Sequence, residues 1–439
     1  MSHRLSLLRH ARSLALAAAA LSAVPALAFD TLSQDQVLSG PDFASFGSAM
    51  DVDGYFSAVV SPENATIETF TFNLSSGSWQ AGPTLTPTAE ELAPVVAVHG
   101  LTIFYAAITQ VGANPPSTQS WEIRAQRLFP PQTVVVDSGT GQEPTALAAS
   151  VWGDEGGDRG ITIDVLAVGI SRYSSGGGGA SRMYEKVGND WFLIDSWDTT
   201  HPSSSHGRNV ALHGTWAAFG DPTWNNSDGL VRVFRRDFGW TLRQQIEDGN
   251  PLQSGVSFGA SVAIDDVCLV IGMTSFNQGF IPPTPDTGGF AAYGVSPEDF
   301  WFQEQVLVPE GALSEDYWGF DIDLAGPNLV LGGWRVQRLN LNEQGDAALF
   351  RRSGDSCRFG SWSEYARLRA TALVIDPEAE ADYGRVVRID PQSGILVSDP
   401  KGPTGEGHGR VYAFNSTLLV LFADGFESGD TSGWSVTTP

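Results

Sequence analysis

Short runs of alternating hydrophobic and polar residues, separated by turn residues, recur along residues 30–416. The clearest run is SFGASVAIDDVCLVIG at residues 257–272, where an aromatic residue and a glycine precede an alternating segment, a tight turn and an apolar segment. Alternation with a period of two predicts a half-buried strand, and a short continuous apolar run suits a strand covered on both faces. The pattern therefore predicts an all-β chain.

This unit occurs seven times. A glycine or alanine occupies its equivalent position at Gly47, Ala93, Ala146, Gly207, Gly259, Gly319 and Gly384. The intervals between these positions are 46 to 65 residues. Each unit continues with a glycine-led strand, as at residues 229–236, and most then have a strand rich in Trp and Gln, as at residues 240–247. Seven units of four short strands predict a seven-bladed β-propeller of four-stranded antiparallel blades.

The residues that open each unit suit the crowded centre of a propeller. Glycine and alanine allow backbones to approach closely. We expect the preceding aromatic residues, Phe46, Phe258, Trp318 and Tyr383, to fill the gaps between neighbouring blades.

The two ends of the repeat region complement each other. The last unit ends near residue 415 with only three strands, whereas residues 31–47 have the same pattern as residues 241–259, which contain the fourth strand of another unit. We therefore expect residues 31–38 to be the outer strand of the seventh blade, beside residues 409–415. Such closure by the N-terminal strand removes exposed sheet edges.

The repeats resemble the FG-GAP (integrin-α-like) family. The two halves of its signature stand as Phe46-Gly47 with residues 61–62, Gly207 with residues 220–222, and Tyr383-Gly384 with residues 398–400. The resemblance implies a secreted bacterial propeller of the binding or adhesion type, and it implies calcium as the one candidate cofactor.

Family members hold calcium in the turn between the first two strands, and the third unit is the candidate for such a loop. It places Asp154, Asp158 and Asp164 around a long glycine-rich turn. Calcium prefers carboxylate oxygens at alternating positions. Arg159 stands where the loop motif has glycine, and Gly156 stands at the third ligand position, so a solvated acidic loop is the alternative.

The N-terminus has the features of a secretory signal peptide. Three arginines precede an apolar run and the small-residue site at residues 26–28. We expect residues 1–28 to be removed, leaving the propeller at 29–416 and a short acidic tail at 417–439. The net charge then changes from −25 to −28 because three arginines are lost. This negative charge excludes nucleic acid as a partner. No apolar run is long enough to span a membrane. We expect a monomer in the periplasm or outside the cell.

Three groups of side chains admit a structural and a chemical interpretation. Cys268 and Cys357 form a disulfide or remain buried thiols. Residues 255–259 match the nucleophile-elbow pattern of hydrolases, yet the serine occupies a repeat position also held by serine in other units. His201, His206 and His213 are close in sequence, but His206 occupies the aromatic position of its unit and His213 a turn position, which favours structural roles.

Long connections distinguish one face of the expected propeller. Turns between first and second strands are short, whereas second-to-third and fourth-to-first connections are long and lie together on the other face. Long loops on a rigid scaffold commonly carry recognition. On this face we expect Trp224, Phe276, Phe280 and Trp334 to contact a protein or glycan partner. The alternative is a propeller enzyme, hydrolase or lactonase-like, with its site at the central channel.

Overall fold

The computed structural model describes residues 30–40, 45–89, 91–110, 119–141, 143–153, 162–171, 178–199, 201, 204–248, 254–277, 286–336, 344–370, 382–402 and 408–414. The predicted signal peptide and the acidic tail lie outside these ranges. No helix within them is long and apolar enough to cross a membrane.

The described residues form seven antiparallel sheets, which confirms the predicted seven-bladed β-propeller. Blade one consists of β3(Ala49–Asp53), β4(Phe56–Ser61), β5(Thr66–Asn73) and β6(Ser78–Ala81). Blade two consists of β7(Glu91–His99), β8(Thr102–Gln110), β9(Gln119–Arg127) and β10(Gln132–Thr140). Blade three consists of β11(Ala146–Gly153), β12(Thr162–Ile170), β13(Ala180–Val187) and β14(Asp190–Asp198). Blades four and five consist of β15(Asn209–His213), β16(Trp216–Asp221), β17(Leu230–Arg236) and β18(Trp240–Glu247), and of β19(Phe258–Ile264), β20(Cys268–Met273), β21(Gly289–Val295) and β22(Trp301–Leu307).

Blade six contains β23(Asp321–Ala325), β24(Asn328–Gly333), β25(Asp346–Arg352) and β26(Trp362–Arg369), with β1(Asp30–Ser33) beside β26. Blade seven contains β27(Val387–Asp390), β28(Gly394–Asp399), β29(Arg410–Phe414) and β2(Gln36–Ser39). Two short turns, at Pro62–Asn64 and Trp224–Ser227, have helical hydrogen bonds. Each inner strand contacts the next around the ring, and β27 contacts β3.

The N-terminal segment closes the ring over a shorter stretch than predicted. Strand β2 pairs with β29, with Gln36 opposite Ala413 and Ser39 opposite Arg410. The preceding strand β1 does not belong to blade seven, because it lies at the outer edge of blade six. The expected strand over residues 31–38 is therefore divided between two neighbouring blades.

The glycine and aromatic positions form the junctions between blades, as predicted. Phe258, Trp318 and Tyr383 are fully buried, and each forms a parallel bridge with the glycine that opens the third strand of the preceding blade. A Cβ atom on Gly345 would lie only 1.9 Å from the carbonyl oxygen of Tyr383. A Cβ atom on Gly409, at the ring closure, would lie 2.0 Å from the carbonyl oxygen of Phe46. These backbones therefore approach too closely for any side chain.

A second junction lies between the outer strands. The Gln36 side chain donates to the carbonyl oxygen of Trp79 and accepts from its N–H, both at 2.8 Å. Gln244 holds Trp301 in the same way, with distances of 2.9 and 2.8 Å. Gln305 repeats the pair of hydrogen bonds in the next blade. The Trp and Gln positions of the repeat therefore connect neighbouring blades at three places among the described residues.

The two halves of the sequence signature are joined by hydrogen bonds. The buried Asp221 carboxylate accepts the N–H of Ser205 at 2.7 Å, and Asp399 accepts the N–H of Asp382 at 3.1 Å. The N–H of Gly207 also donates to the carbonyl oxygen of Gly220 at 3.0 Å. The opening of each of these blades is thereby fixed to the end of its second strand.

Cys268 and Cys357 form a disulfide, which decides between the two interpretations of the sequence. Their Cα atoms are 5.2 Å apart, and both residues are buried. Cys268 begins the second strand of blade five, and Cys357 lies in the hairpin between β25 and β26 of blade six. The bond therefore connects two blades covalently.

Candidate functional site in the central channel

The inner strands of all seven blades enclose an open channel with a volume of about 1180 Å³. Its wall combines small apolar residues with hydroxyl and amide groups. The polar uncharged residues that line it are Ser45, Ser48, Ser205, Asn209, Thr223, Asn226, Ser227, Ser257, Ser261 and Thr274. A concave site with a few converging polar groups is the usual form of a ligand pocket.

An ionic cluster occupies the middle of the channel, where blades six, seven and one meet. Arg388 lies 2.7 Å from Asp321 and 3.5 Å from Asp51. Asp51, Asp321 and the adjacent Asp323 each also accept a backbone N–H from the next blade, at 2.7 to 2.9 Å. These carboxylates therefore hold inner strands together, in addition to facing the channel.

Two of these acids have pKa values near neutrality. Burial raises the pKa of Asp51 to about 6 and that of Asp323 to about 7, and the nearby charge of Arg388 opposes both shifts. Such shifts are common at catalytic sites, although structural ion networks produce them as well.

Arginine and aromatic side chains meet at the channel end where the long connections lie. Arg208 and Arg385 line the channel directly after the glycines that open blades four and seven. The guanidinium of Arg385 lies 5.3 Å from the ring centre of Phe320 and 5.5 Å from that of Trp334. We call Arg208, Phe320, Trp334 and Arg385 the arginine mouth.

The Asp382 carboxylate lies beside the arginine mouth and contacts two cations. Nη1 of Arg385 is 3.5 Å from a carboxylate oxygen of Asp382, and the other oxygen of that carboxylate is 3.1 Å from the Lys401 ammonium. Asp382 therefore links Lys401, in the second-to-third strand connection of blade seven, to Arg385 of the same blade. Burial and then the charge of Arg385 lower the pKa of Arg208, so the two guanidinium groups are close enough to repel.

The aromatic residues predicted to contact a partner occupy second-to-third strand connections. Trp224 is half-buried and packs against His201, with ring centres 4.6 Å apart and ring planes tilted by 43°. The ring centre of Trp334 lies 5.6 Å from that of Phe320. Phe276 is half-buried too, but it packs against the hydrophobic core of blades four and five. Phe280 lies outside the described residues. Of these four predicted residues, Trp224 and Trp334 are therefore described outside the hydrophobic core, and the Arg335 guanidinium lies 4.8 Å from the ring centre of Trp334.

The predicted calcium loop lies mostly outside the described residues, including Asp154 and Asp158. Asp164 is described; it lies in β12 and forms an ion pair of 3.1 Å with Lys186. Among the described residues, no group of three His, Cys, Asp or Glu side chains is placed to hold a metal. Calcium binding therefore stays a prediction.

His206 has a structural role in which it does not activate a nucleophile. Its Nε2 lies 2.9 Å from the hydroxyl of Ser181, and its Nδ1 lies 3.1 Å from Nη1 of Arg232. Arginine can only donate, so Nδ1 accepts and Nε2 carries the proton. Burial, followed by the charge of Arg232, lowers the pKa of His206 to about 3. A general base for Ser181 would need a free lone pair at Nε2, which this tautomer lacks.

The other two histidines have separate surroundings. His213 lies 3.5 Å from Asp266 on the neighbouring blade, at the opposite end of β15 from His206. His201 packs against Trp224, as described above. Their separate contacts do not favour the shared metal site that their sequence spacing admits.

Ser257 has the backbone conformation of a repeat position. Its φ is 57°, and the equivalent Ser45 and Tyr317 have φ values of 46° and 53°. It precedes strand β19, whereas a nucleophile elbow leads from a strand into a helix. Because Tyr317 has the same left-handed conformation at this position in another blade, the conformation is a feature of the turn that precedes the inner strand and does not indicate a catalytic serine.

Comparison with known proteins leaves the family open. No family model matches the chain. No curated protein matches it either. Among solved structures, the chain is similar to a crystal structure of a protein from Lactobacillus plantarum, with 12% identity and a TM-score of 0.45 over 73% of this chain and 85% of that one.

The sequence alone did not identify the arginine mouth. Arg208 and Arg385 occupy the position after the repeat glycine, which holds Ser48 in blade one and Ala260 in blade five. An alignment of the seven units, read for positions that differ between blades, would have identified both arginines.

Proposed function

We propose that this protein is an exported, non-enzymatic binding propeller of the FG-GAP type, which recognises a protein or glycan partner through its long-loop face. The observation that carries the proposal is the arginine mouth, where aromatic and arginine side chains surround the end of an open channel on that face. Aromatic residues and arginine are enriched at recognition surfaces. The repeated aromatic-glycine openings support the FG-GAP relationship.

Export is supported by two features of the chain. The N-terminal sequence has a signal-peptide pattern, and the disulfide between Cys268 and Cys357 suits an oxidising compartment. Mass spectrometry of the protein from periplasm and culture medium should give a chain that begins at Phe29. An uncleaved chain retained in the cytoplasm would contradict export.

The recognition face is tested by exchanging one loop. The whole connection at residues 273–289 is unsuitable for replacement, because Gly288 and Gly289 are part of the junction with blade six. Replacing residues 278–285 alone by Gly-Asn preserves that junction. Labelled protein is then applied to a glycan array and to immobilised cell-surface proteins, alongside a Trp224→Ala variant.

Controls on the opposite face make this test specific. Phe238 and Phe359 are 105% and 88% exposed in hairpins between third and fourth strands, on the short-turn face. We expect the loop exchange and Trp224→Ala to weaken binding at unchanged melting temperature, and Phe238→Ser with Phe359→Ser to leave binding intact. The reverse result would move recognition to the short-turn face.

A propeller enzyme is the second candidate function, favoured by the raised pKa values of Asp51 and Asp323. A carboxyl group with a pKa near neutrality suits general acid or base catalysis. The protein should be assayed on glycoside, ester, lactone and phosphoester substrates. A reproducible turnover that Asp323→Asn abolishes, while the fold is retained, would replace the binding proposal.

A further inference from the structure

The most exposed apolar side chains of the protein occupy one kind of position. Among the described residues, the five large hydrophobic side chains with the highest exposure, 62 to 105%, are Leu74, Phe129, Val187, Phe238 and Phe359. All five lie at hairpins between third and fourth strands, in blades one, two, three, four and six. Phe300 occupies the equivalent hairpin of blade five and is 51% exposed. Contacts between blades do not explain this recurrence, because these side chains face solvent.

These hairpins share the short-turn face of the propeller. We call the six side chains at their tips the apolar rim: Leu74, Phe129, Val187, Phe238, Phe300 and Phe359. The first-to-second hairpins of blades one and two lie on the same face and add Tyr55 and Leu101, which are 38% and 49% exposed. Single exposed apolar residues are ordinary on a protein surface, whereas a set concentrated on one face indicates an interaction site.

The spacing of the apolar rim indicates what covers it. Its members come from six different blades, so they do not line one groove into which a peptide segment fits. A protein partner would need a separate pocket for each hairpin tip. A bilayer instead presents a continuous apolar layer beneath its headgroups, which all the tips can enter at once, as the apolar faces of peripheral membrane proteins do.

Two cations beside the apolar rim suit the phosphates of lipid headgroups. Arg127 is exposed and precedes Phe129 by two residues, and the Arg358 guanidinium lies 5.5 Å from the ring centre of Phe359. Within the part of the chain that the structure describes, neither arginine forms an ion pair. Arginine binds phosphate through charged hydrogen bonds, and its long side chain reaches headgroup level while its apolar neighbour inserts.

The overall charge selects the kind of bilayer. The chain carries a net charge of −25, which opposes long-range attraction to an anionic surface. A zwitterionic surface exerts no such repulsion and still offers phosphate groups to Arg127 and Arg358.

We propose that the short-turn face docks on a zwitterionic phospholipid bilayer, with the phenylalanines of the apolar rim inserted at the interface and Arg127 and Arg358 contacting lipid phosphates. This function is additional to recognition on the long-loop face. A propeller docked in this way presents the arginine mouth and the long connections away from the bilayer, where a partner can reach them.

Flotation of the exported protein with phosphatidylcholine vesicles tests the docking. We expect the protein to float with the vesicles and to stay bound at high salt, because burial of apolar surface is not screened. Phe238→Ser combined with Phe359→Ser should lower the partition constant at least about tenfold. The matched control is Val306→Ser combined with Leu313→Ser, which removes two exposed apolar side chains, 38% and 53% exposed, from the outer strand of blade five and the connection that follows it. The control should float like the parent protein at equal melting temperature.

Charge variants test the two arginines. Arg127→Gln combined with Arg358→Gln should weaken partitioning by about three- to tenfold, since hydrogen bonds to charged groups are lost. Arg127→Lys combined with Arg358→Lys keeps both charges and should retain most of the binding. Equal losses in the glutamine and lysine pairs, or no loss in either, would overturn the assignment of these residues to lipid phosphates.

Three results would overturn the docking itself. They are a parent protein that does not float with phosphatidylcholine vesicles, a loss in the Val306 and Leu313 control equal to that in the phenylalanine pair, and a dimer in sedimentation that Phe238→Ser dissociates while vesicles remain unbound. The last result would make this face an interface between two copies of the chain. Trp224→Ala should float normally, so failure of the docking is distinguishable from failure of recognition on the long-loop face.

Discussion

Some junctions between blades contain a glycine at which two backbones touch. Two glycines of blade six, Gly345 and Gly326, allow the contribution of such a contact to stability to be measured. Gly345 has φ of 74°, and a Cβ there would lie 1.9 Å from the carbonyl oxygen of Tyr383 in blade seven. Gly326 has φ of 57° in the hairpin between β23 and β24, and a Cβ there meets no atom within 4 Å. The two positions share a left-handed backbone and differ in the blade contact.

The expected costs follow from this difference. Alanine in the left-handed region costs about 1–2 kcal/mol at either site. The reduced freedom of the unfolded chain offsets part of that cost equally in both variants. Only Gly345→Ala also forces the blades apart, by at least 1.1 Å, the difference between the 3.0 Å that real Cβ contacts keep and 1.9 Å. Overpacking of this kind adds about 1–3 kcal/mol, or more where backbone must move.

Urea unfolding followed by tryptophan fluorescence measures both variants against the parent protein. Gly345→Ala should lose about 1–3 kcal/mol more of the free energy of unfolding than Gly326→Ala. Blade four offers a repeat of the comparison, with Gly229→Ala at 2.1 Å from Phe258 and Gly214→Ala in open space apart from Asp266 at 3.6 Å. Losses equal within about 0.5 kcal/mol in both pairs would refute the argument, since they would show that blade contact adds nothing beyond backbone strain.

Three further changes test other links between blades. Gln36→Ala removes both hydrogen bonds across the ring closure and should cost about 1–3 kcal/mol in urea unfolding. The control Gln80→Ala, at an exposed position, should cost less than about 0.5 kcal/mol. Equal losses of stability in the two variants would contradict closure at this strand. Replacing Cys268 and Cys357 together by serine should cost about 2–4 kcal/mol, because the bond spans 89 residues, and unchanged stability would show that it constrains nothing. His206→Phe should reduce the loss of melting temperature on acidification from pH 6.5 towards pH 3. The unfolded chain binds a proton at His206 in that interval, whereas the folded protein, with a pKa of about 3, does not; parallel pH profiles would contradict this.

The sequence predicted the repeat architecture because the repeated residues are the contacts between blades. The pair of Phe258 and Gly229 recurs as Trp318 with Gly288 and as Tyr383 with Gly345, because each of these junctions places a buried ring beside a glycine. The register of the N-terminal strand was harder to predict from the sequence. Sequence similarity aligns Gln34 with Gln244, whereas the structure places Gln36 at that position. A shift of two residues keeps every side chain on the same face of a strand, so alternation cannot distinguish the two registers.

The arginine mouth could not be predicted from the repeat pattern, because its residues do not repeat. Seven blades share the contacts that hold them together, whereas a ligand on the central axis meets each blade once and needs different side chains from each. The position after the repeat glycine illustrates this, with arginine in blades four and seven, serine in blade one and phenylalanine in blade six. Departures from the repeat at channel-lining positions therefore indicate function in a propeller, and recurrence indicates the fold.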